Sequence, residues 1–257
     1  MTTVFSKDCL AGGTYLVTGA SSGIGQSAAK LIAQCGGKVI ISGRNESRLN
    51  ETLASLEGTG HFASVVDLID ADQTADWMKG IVQEYGTLSG VFHSAGIGFV
   101  RPIRLVKQQQ LNDVFGSSLL ASFGIARIAA QKNAIVDGGS LVFMSSVAGF
   151  RGQKGMTVYS AAKAAIDGMI RPLACEMAAR RIRVNSIVAG AVETPIHENW
   201  LSAVDSSEAV AEYENNHLLG FGKVDDTSNA VVFLLSEASR WITGTSLIVD
   251  GGYVVCK

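Results

Sequence analysis

Tyr159 and Lys163 stand four residues apart, a spacing that places both side chains on one face of a helix. A free phenol has a pKa of about 10, and an ammonium beside it favours the phenolate and draws that value toward neutrality. Such a pair suits proton transfer to or from an oxygen whose charge changes during a reaction. Ser146 lies thirteen positions before Tyr159, just after an apolar run, and its hydroxyl could hold the same oxygen. A Tyr-x-x-x-Lys spacing also arises on ordinary helix surfaces, so its meaning depends on what accompanies it.

Its strongest companion is Thr18-Gly19-Ala20-Ser21-Ser22-Gly23-Ile24-Gly25. Glycines in such a turn let the backbone bend tightly and approach a ligand closely. A helix starting at Ile24 would aim unpaired amides and its positive dipole end at that ligand, an arrangement suited to a pyrophosphate. A glycine-rich turn could equally be only a turn; its place directly after an apolar strand favours the binding role.

These groups need a scaffold that brings them to one edge. Short β-branched runs alternate with stretches of helical periodicity, the pattern of a parallel sheet covered on both faces. Strands are expected at Thr14–Thr18, Lys38–Ser42, Ser64–Asp67, Val91–Ser94, Leu141–Ser145, Val184–Val188 and Leu247–Val249. Helices are expected at Ile24–Cys35, Arg44–Leu56, Ala71–Tyr85, Lys107–Ala134, Val158–Ala179 and Asp226–Leu235, with a kink at Pro172. Residues 191–222 are the least periodic and carry Trp200, Leu218 and Leu219, so this segment reads as a lid.

The 257 residues are 47% hydrophobic and show no linker, which predicts one domain over 1–257. A net charge of −2 with no basic stripe argues against a nucleic-acid partner. The start of the chain lacks a leader pattern and no window is apolar enough to span a membrane, so a cytoplasmic protein is expected. Cys9, Cys35, Cys175 and Cys256 lie too far apart for a metal motif or a disulfide framework. His61, His93, His197 and His217 likewise lack metal-ligand spacing.

The TGASSGIG loop resembles the TGxxxGxG fingerprint of the short-chain dehydrogenase/reductase family, and the resemblance runs nearly end to end. It implies a doubly wound, seven-stranded α/β fold of Rossmann type, with Ser146, Tyr159 and Lys163 as the serine–tyrosine–lysine site. Lys163 would also bind the nicotinamide ribose. The family's site asparagine aligns with Ser118, a departure on the catalytic side. On the cofactor side it implies Gly19, Ser21, Ser22, Gly23, Ile24 and Gly25 at the pyrophosphate, with Asp67 and Leu68 at the adenine. Ser94, Ala95 and Gly96 stand in the family's NNAG stretch, whose first asparagine is here His93. Gly190 ends the stretch from Asn185, and Val192, Ile187 and Thr194 would surround the nicotinamide; Thr194 could alternatively cap a helix before Pro195.

Relatives that prefer NAD carry an acidic residue where Gly43 stands. Gly43 followed by Arg44 therefore implies NADP(H), because a guanidinium can bind a 2′-phosphate that a carboxylate would repel. The implied reaction interconverts a ketone and a secondary alcohol, as in 3-oxoacyl-thioester reductases, on a small-molecule substrate. A sugar, polyol or steroid dehydrogenase, or a weakly active NADP-binding partner protein, remains open. The family's C-terminal stretch, here Ile242 to Gly252, implies a homotetramer.

Overall fold

A computed structural model of the protein describes residues 4–202 and 207–256. The chain begins the sheet with β1 (Thr14–Thr18), α1 (Gly23–Gln34), β2 (Lys38–Gly43), α2 (Glu46–Ala54) and β3 (Phe62–Val65). It continues through α3 (Ala71–Tyr85), β4 (Leu88–His93), α4 (Gln108–Phe115), a π-helical turn (Gly116–Leu120) and α5 (Ala121–Ala129). Then follow β5 (Ile135–Ser146), α6 (Thr157–Met177), β6 (Arg183–Ala189), α7 (Pro195–Ser202), α8 (Ser207–Asn215), α9 (Val224–Leu235) and β7 (Ser246–Val249).

All seven strands run parallel in the order β3-β2-β1-β4-β5-β6-β7, the expected doubly wound fold. Strand order reverses between β1 and β4, and a crevice opens beyond the carboxyl ends of strands at such a reversal. Two apolar cores lie on opposite faces. One packs α1 and α9 against Val17, Ile41, Phe92 and Val142; the other packs α3, α5 and α6 against Leu16, Ile40, Val91 and Phe143. Adjacent residues of one strand thus enter different cores, so central strands read as continuous apolar runs.

Several differences from expectation have local causes. β5 begins at Ile135 instead of Leu141, with a register shift opposite Leu88 and Gly90. Asp137-Gly138-Gly139 reads as a turn, but here Gly138 adopts φ +83° inside a bulged strand. The single helix expected over Lys107–Ala134 is divided by the π turn and ends at Ala129. Gly116 begins that turn, and a Cβ there would lie 2.5 Å from the Ile69 carbonyl oxygen, a contact only glycine permits. At Pro172, α6 continues unbroken from Thr157 to Met177.

Residues 191–222 contain helices α7 and α8, closed at the base by a bridge between Val192 and Gly222. Part of the expected lid, 203–206, and the side chain of Trp200 lie outside the described residues. Leu218 and Leu219 are exposed and pack beside Gly251 and Gly252, so they do not face the crevice. The cavity is instead met by Ile196, His197 and Tyr213 from the two helices.

Candidate active site

A cavity of about 1100 Å³ extends along the carboxyl edge of the sheet. It is lined at one end by Gly19, Ser21, Ser22, Gly23, Ile24 and Gly25, and beside them by Arg44, Asp67, Leu68, Ser94, Ala95 and Gly96. At the other end stand Ser146, Tyr159 and Lys163, with Gly190, Val192 and Thr194 between. Ser118 lies behind the wall, fully buried, and Ile187 faces the core, so neither lines the cavity. Ile187 is displaced from its expected place because its position on β6 points it toward α9, whereas Val192, past the strand end, reaches the cavity.

The glycine loop is shaped by close approach. Gly19 has φ +68°, and a Cβ on it would lie 2.8 Å from Ala95. On Gly25 a Cβ would lie 2.4 Å from the Gly19 carbonyl oxygen. The loop therefore folds back on itself with no room for a side chain at Gly19 or Gly25. Ser22 occupies the N-cap of α1 but makes no side-chain cap hydrogen bond, and the first turn carries no acidic residue. The amides and dipole of α1 thus face the cavity without an internal anion, which fits the phosphates of a dinucleotide.

Arg44 precedes α2, whose N-cap is Asn45 with Oδ1 accepting from the Arg48 amide at 2.9 Å. Its guanidinium lies 3.7 Å from Asp67, and the two side chains are 63% and 53% exposed. An ion pair so open to water is weak and can give way to a competing anion. Gly43 lies against the loop, where a Cβ would meet Ser21 at 3.2–3.3 Å. Any larger residue there would crowd the glycine turn. Arg48 also lines this end, a second cation that the sequence motifs did not single out.

At the reacting end, Ser146 caps a short 3-10 turn, accepting from the Ala148 amide at 3.2 Å, and also bonds to the Tyr159 phenol. Burial raises the pKa of that phenol above its ordinary value, and the Ser146 hydrogen bond opposes the rise. Lys163 Nζ lies 5.6 Å from the centre of the Tyr159 ring and donates to the Met144 carbonyl at 2.9 Å. The expected pull of the ammonium on the phenol is therefore not what governs Tyr159 in this geometry; desolvation is stronger. Burial lowers Lys163 to about 8, and Asp167 opposes this.

Asp167 extends the row Tyr159, Lys163, Asp167 by a further helical turn, and it was not identified from the sequence. Its buried carboxylate accepts from Ser145 at 2.6 Å, Ser186 at 2.6 Å and Ser246 at 2.8 Å. Ser145, the neighbour of Ser146, thus supports the strand end. A buried acid on the Tyr159–Lys163 face was the available signal, since acids are rarely buried without partners.

Thr194 donates to the Val192 carbonyl at 3.0 Å and accepts from the His197 amide at 3.3 Å, so it caps α7 while lining the cavity. His217 was also missed. Its Nε2 accepts from the Ala191 amide at 3.1 Å, which leaves Nδ1–H to donate to the Tyr213 carbonyl at 2.8 Å, and its ring stacks on Tyr253 at 4.5 Å. It ties α8 to the base of the 191–222 segment. Among the described residues no group of histidine, cysteine and acidic side chains could hold a metal, and no helix is long and apolar enough to cross a membrane.

Residues 19–254 match the family described as enoyl-(acyl carrier protein) reductase. The chain is 32% identical over 250 residues to a 3-oxoacyl-[acyl-carrier-protein] reductase of Thermotoga maritima, covering 96% of this chain and 99% of that one. Its fold superposes on a short-chain type dehydrogenase/reductase from Mycobacterium ulcerans with a TM-score of 0.86 at 30% identity, over 98% and 92% of the two chains. A blue fluorescent protein from a metagenomic library, solved in complex with NADPH, matches with a TM-score of 0.84 at 28% identity, over 95% and 98%.

Proposed function

Because this chain belongs to the short-chain dehydrogenase/reductase family, we propose that it is an NADP(H)-dependent oxidoreductase interconverting a ketone and a secondary alcohol. The observation that carries this reading is the placement of Ser146, Tyr159 and Lys163 in the same cavity as the uncapped N-terminus of α1. The nicotinamide cofactor, when bound, supplies or accepts the hydride. The glycine loop and the amides of α1 would hold its phosphates, Asp67 and Leu68 its adenine, and Val192 and Thr194 its nicotinamide end. NADP(H) is favoured by Gly43, Arg44 and Arg48 around the place of the ribose, and by the NADPH held by a structural relative.

Ser146 and Tyr159 hold the carbonyl oxygen, and their hydroxyls stabilise the negative charge it gains during reduction. Tyr159 then gives its phenolic proton to that oxygen, and takes one back in the reverse direction. Lys163 carries its charge near the phenol and favours the phenolate left behind. The substrate end of the cavity is faced by Ile97, Phe99, Val100, Met156 and Ile196, which suits an apolar ketone such as a 3-oxoacyl thioester. The Thermotoga relative is named for that chemistry.

Residues 191–222 act as a lid in this reading, with Ile196, His197 and Tyr213 closing on the ligand. A homotetramer is supported by apolar side chains exposed on two surfaces, Leu120 and Phe123 around α5, and Trp241 and Ile248 near the β7 edge. Light scattering at working concentration checks it, and a monomer excludes it.

The deciding experiment follows NADPH oxidation with a panel of ketones, including 3-oxoacyl thioesters, for the natural protein and Tyr159→Phe. Removing the phenolic hydroxyl takes away a proton donor and an oxyanion contact, each worth about 10²-fold or more in rate. A turnover that Tyr159→Phe retains removes the proton-donor assignment. In the same samples, hydrogen exchange of 191–222 should slow when NADPH and ketone saturate; unchanged exchange removes the lid.

A further inference from the structure

The substrate end of the cavity carries a second phenol. Tyr213, on α8, lines it together with the apolar side chains of Ile97, Phe99, Val100 and Ile196. The charge that Tyr159 carries when ionised is felt at Tyr213, so the two phenols share this end of the cavity. An aromatic cluster fixes the ring: the centroids of His217, Tyr253 and Phe221 lie 4.9, 5.2 and 5.9 Å from its own. The Tyr213 carbonyl also accepts from His217 Nδ1 at 2.8 Å. Phenylalanine would serve this packing equally well, so the hydroxyl needs a separate reason.

The segment between Ser146 and Tyr159 supplies one. Its Gln153 side-chain amide donates to the Tyr253 hydroxyl at 2.9 Å and also bonds the Tyr213 phenol. The bond to Tyr213 favours the ionised phenol, so the phenol oxygen accepts there and its own proton is directed away from Gln153. Arg151, from the same segment, lies 4.6 Å from the Tyr253 ring centre and donates to the Tyr253 carbonyl at 2.6 Å. The stretch that separates the two catalytic side chains in sequence thus also orients Tyr213. Burial raises the pKa of the Tyr213 phenol above its ordinary value, so it keeps its proton at neutral pH and acts as a donor.

We propose that Tyr213 is a specificity-determining residue whose hydroxyl donates to a second oxygen of the substrate, so that the protein prefers a ketone with an acceptor oxygen close to the reacting carbonyl, as in a 3-oxo ester or thioester, over a plain alkyl ketone. This rests on the ketone reduction proposed above. Ser146 and Tyr159 hold the oxygen that is reduced, and Tyr213 holds the one that is not. Two hydroxyls on one oxygen leave the substrate free to swing about it, and a third contact farther along removes that freedom. A donor on a largely apolar wall also discriminates against a ligand that leaves it without an acceptor.

The test measures kcat/KM with NADPH for ethyl acetoacetate and for methyl pentyl ketone, which has the same chain length, in the natural protein, Tyr213→Phe, Gln153→Glu and Tyr159→Phe. The two carbonyls differ in intrinsic reactivity, so the quantity read is the ratio of the two values in a variant against the same ratio in the natural protein. A change in lid packing lowers both values together and cancels. In Tyr213→Phe the ratio should fall about fivefold or more, the loss falling on the 3-oxo ester. In Gln153→Glu it should fall as well, because the carboxylate accepts the phenolic proton and turns it from the cavity. An unchanged ratio in Tyr213→Phe, beside an inactive Tyr159→Phe, overturns this inference alone. Should Tyr213→Phe not fold, Gln153→Glu decides. Full activity in Tyr159→Phe, or turnover of neither ketone by the natural protein, overturns the active-site reading and the inference with it.

Discussion

At the glycine-loop end of the cavity the chain withholds side chains, whereas behind Tyr159 it gathers polar ones and buries them. Gly19, Gly23 and Gly25 leave backbone amides as the cavity surface, and Gly43 clears the space beside them. At the opposite end Lys163, Asp167, His93, Ser118 and Ser145 are all buried. Backbone amides keep their polarity whatever surrounds them. The properties of a buried ammonium depend on every neighbour. One end should therefore respond to substitution through shape, and the other through protonation.

The largest effect expected from this contrast comes from Gly25→Ala. Its Cβ would lie 2.4 Å from a backbone oxygen that cannot swing away, and overpacking of this kind costs about 1–3 kcal/mol. Concentrated at the phosphate site, that displaces the loop and weakens NADPH and NADH alike, by about tenfold to more than hundredfold. Calorimetry with both cofactors measures it. Affinities equal to the natural protein would show that the amides of this loop are not the binding surface.

Arg44→Ala should be smaller and selective. Loss of one charge-assisted contact is worth about 1.5–3 kcal/mol, or roughly ten- to hundredfold, for NADPH and little for NADH. Among the described residues, the weak Asp67 pairing is the ion pair given up. Equal weakening of the two cofactors, or tighter binding of NADH by the natural protein, would count against recognition of a 2′-phosphate.

Asp167→Asn sharpens the other side of the contrast and should alter affinity least. The carboxylate raises the Lys163 pKa against the burial that lowers it to about 8. Removing its charge leaves burial less opposed, so Lys163 loses its proton at lower pH and the alkaline limb of kcat shifts down, by about half a unit or more. At pH 7 the rate should fall only a few-fold, with cofactor Kd unchanged. A limb that stays in place, in a protein whose Tm shows it folded, would separate Asp167 from the function of Lys163.

The parts of the fold legible from sequence share one cause. β1 was located at Thr14–Thr18 and α3 at Ala71–Tyr85 because both-face burial and helical periodicity act locally. β5 was truncated because Asp137-Gly138-Gly139 resembles a turn, while the neighbouring strand holds those residues in the sheet. The helices of 191–222 were read as an irregular segment because they are short and separated. Among site residues, Tyr159, Lys163 and the glycine loop announced themselves by spacing. His93, Asp167 and His217 did not, since Asp167 finds partners on β6 and β7, and His93 and His217 find theirs at Thr18 and Ala191.

Local sequence alone settled the alternation of strands and helices, the glycine turn at a helix start and the phenol–ammonium pair, because each depends on neighbours within a few residues; the doubly wound order came from the family resemblance. The depth at which Lys163 is buried, the three serines around Asp167 and the unpartnered atoms of His93 and Ser118 were decided only by the tertiary structure. The reason is physical: desolvation and hydrogen-bond completion belong to the packed neighbourhood, and residues far apart in the chain meet only when the sheet brings its strand ends to one edge.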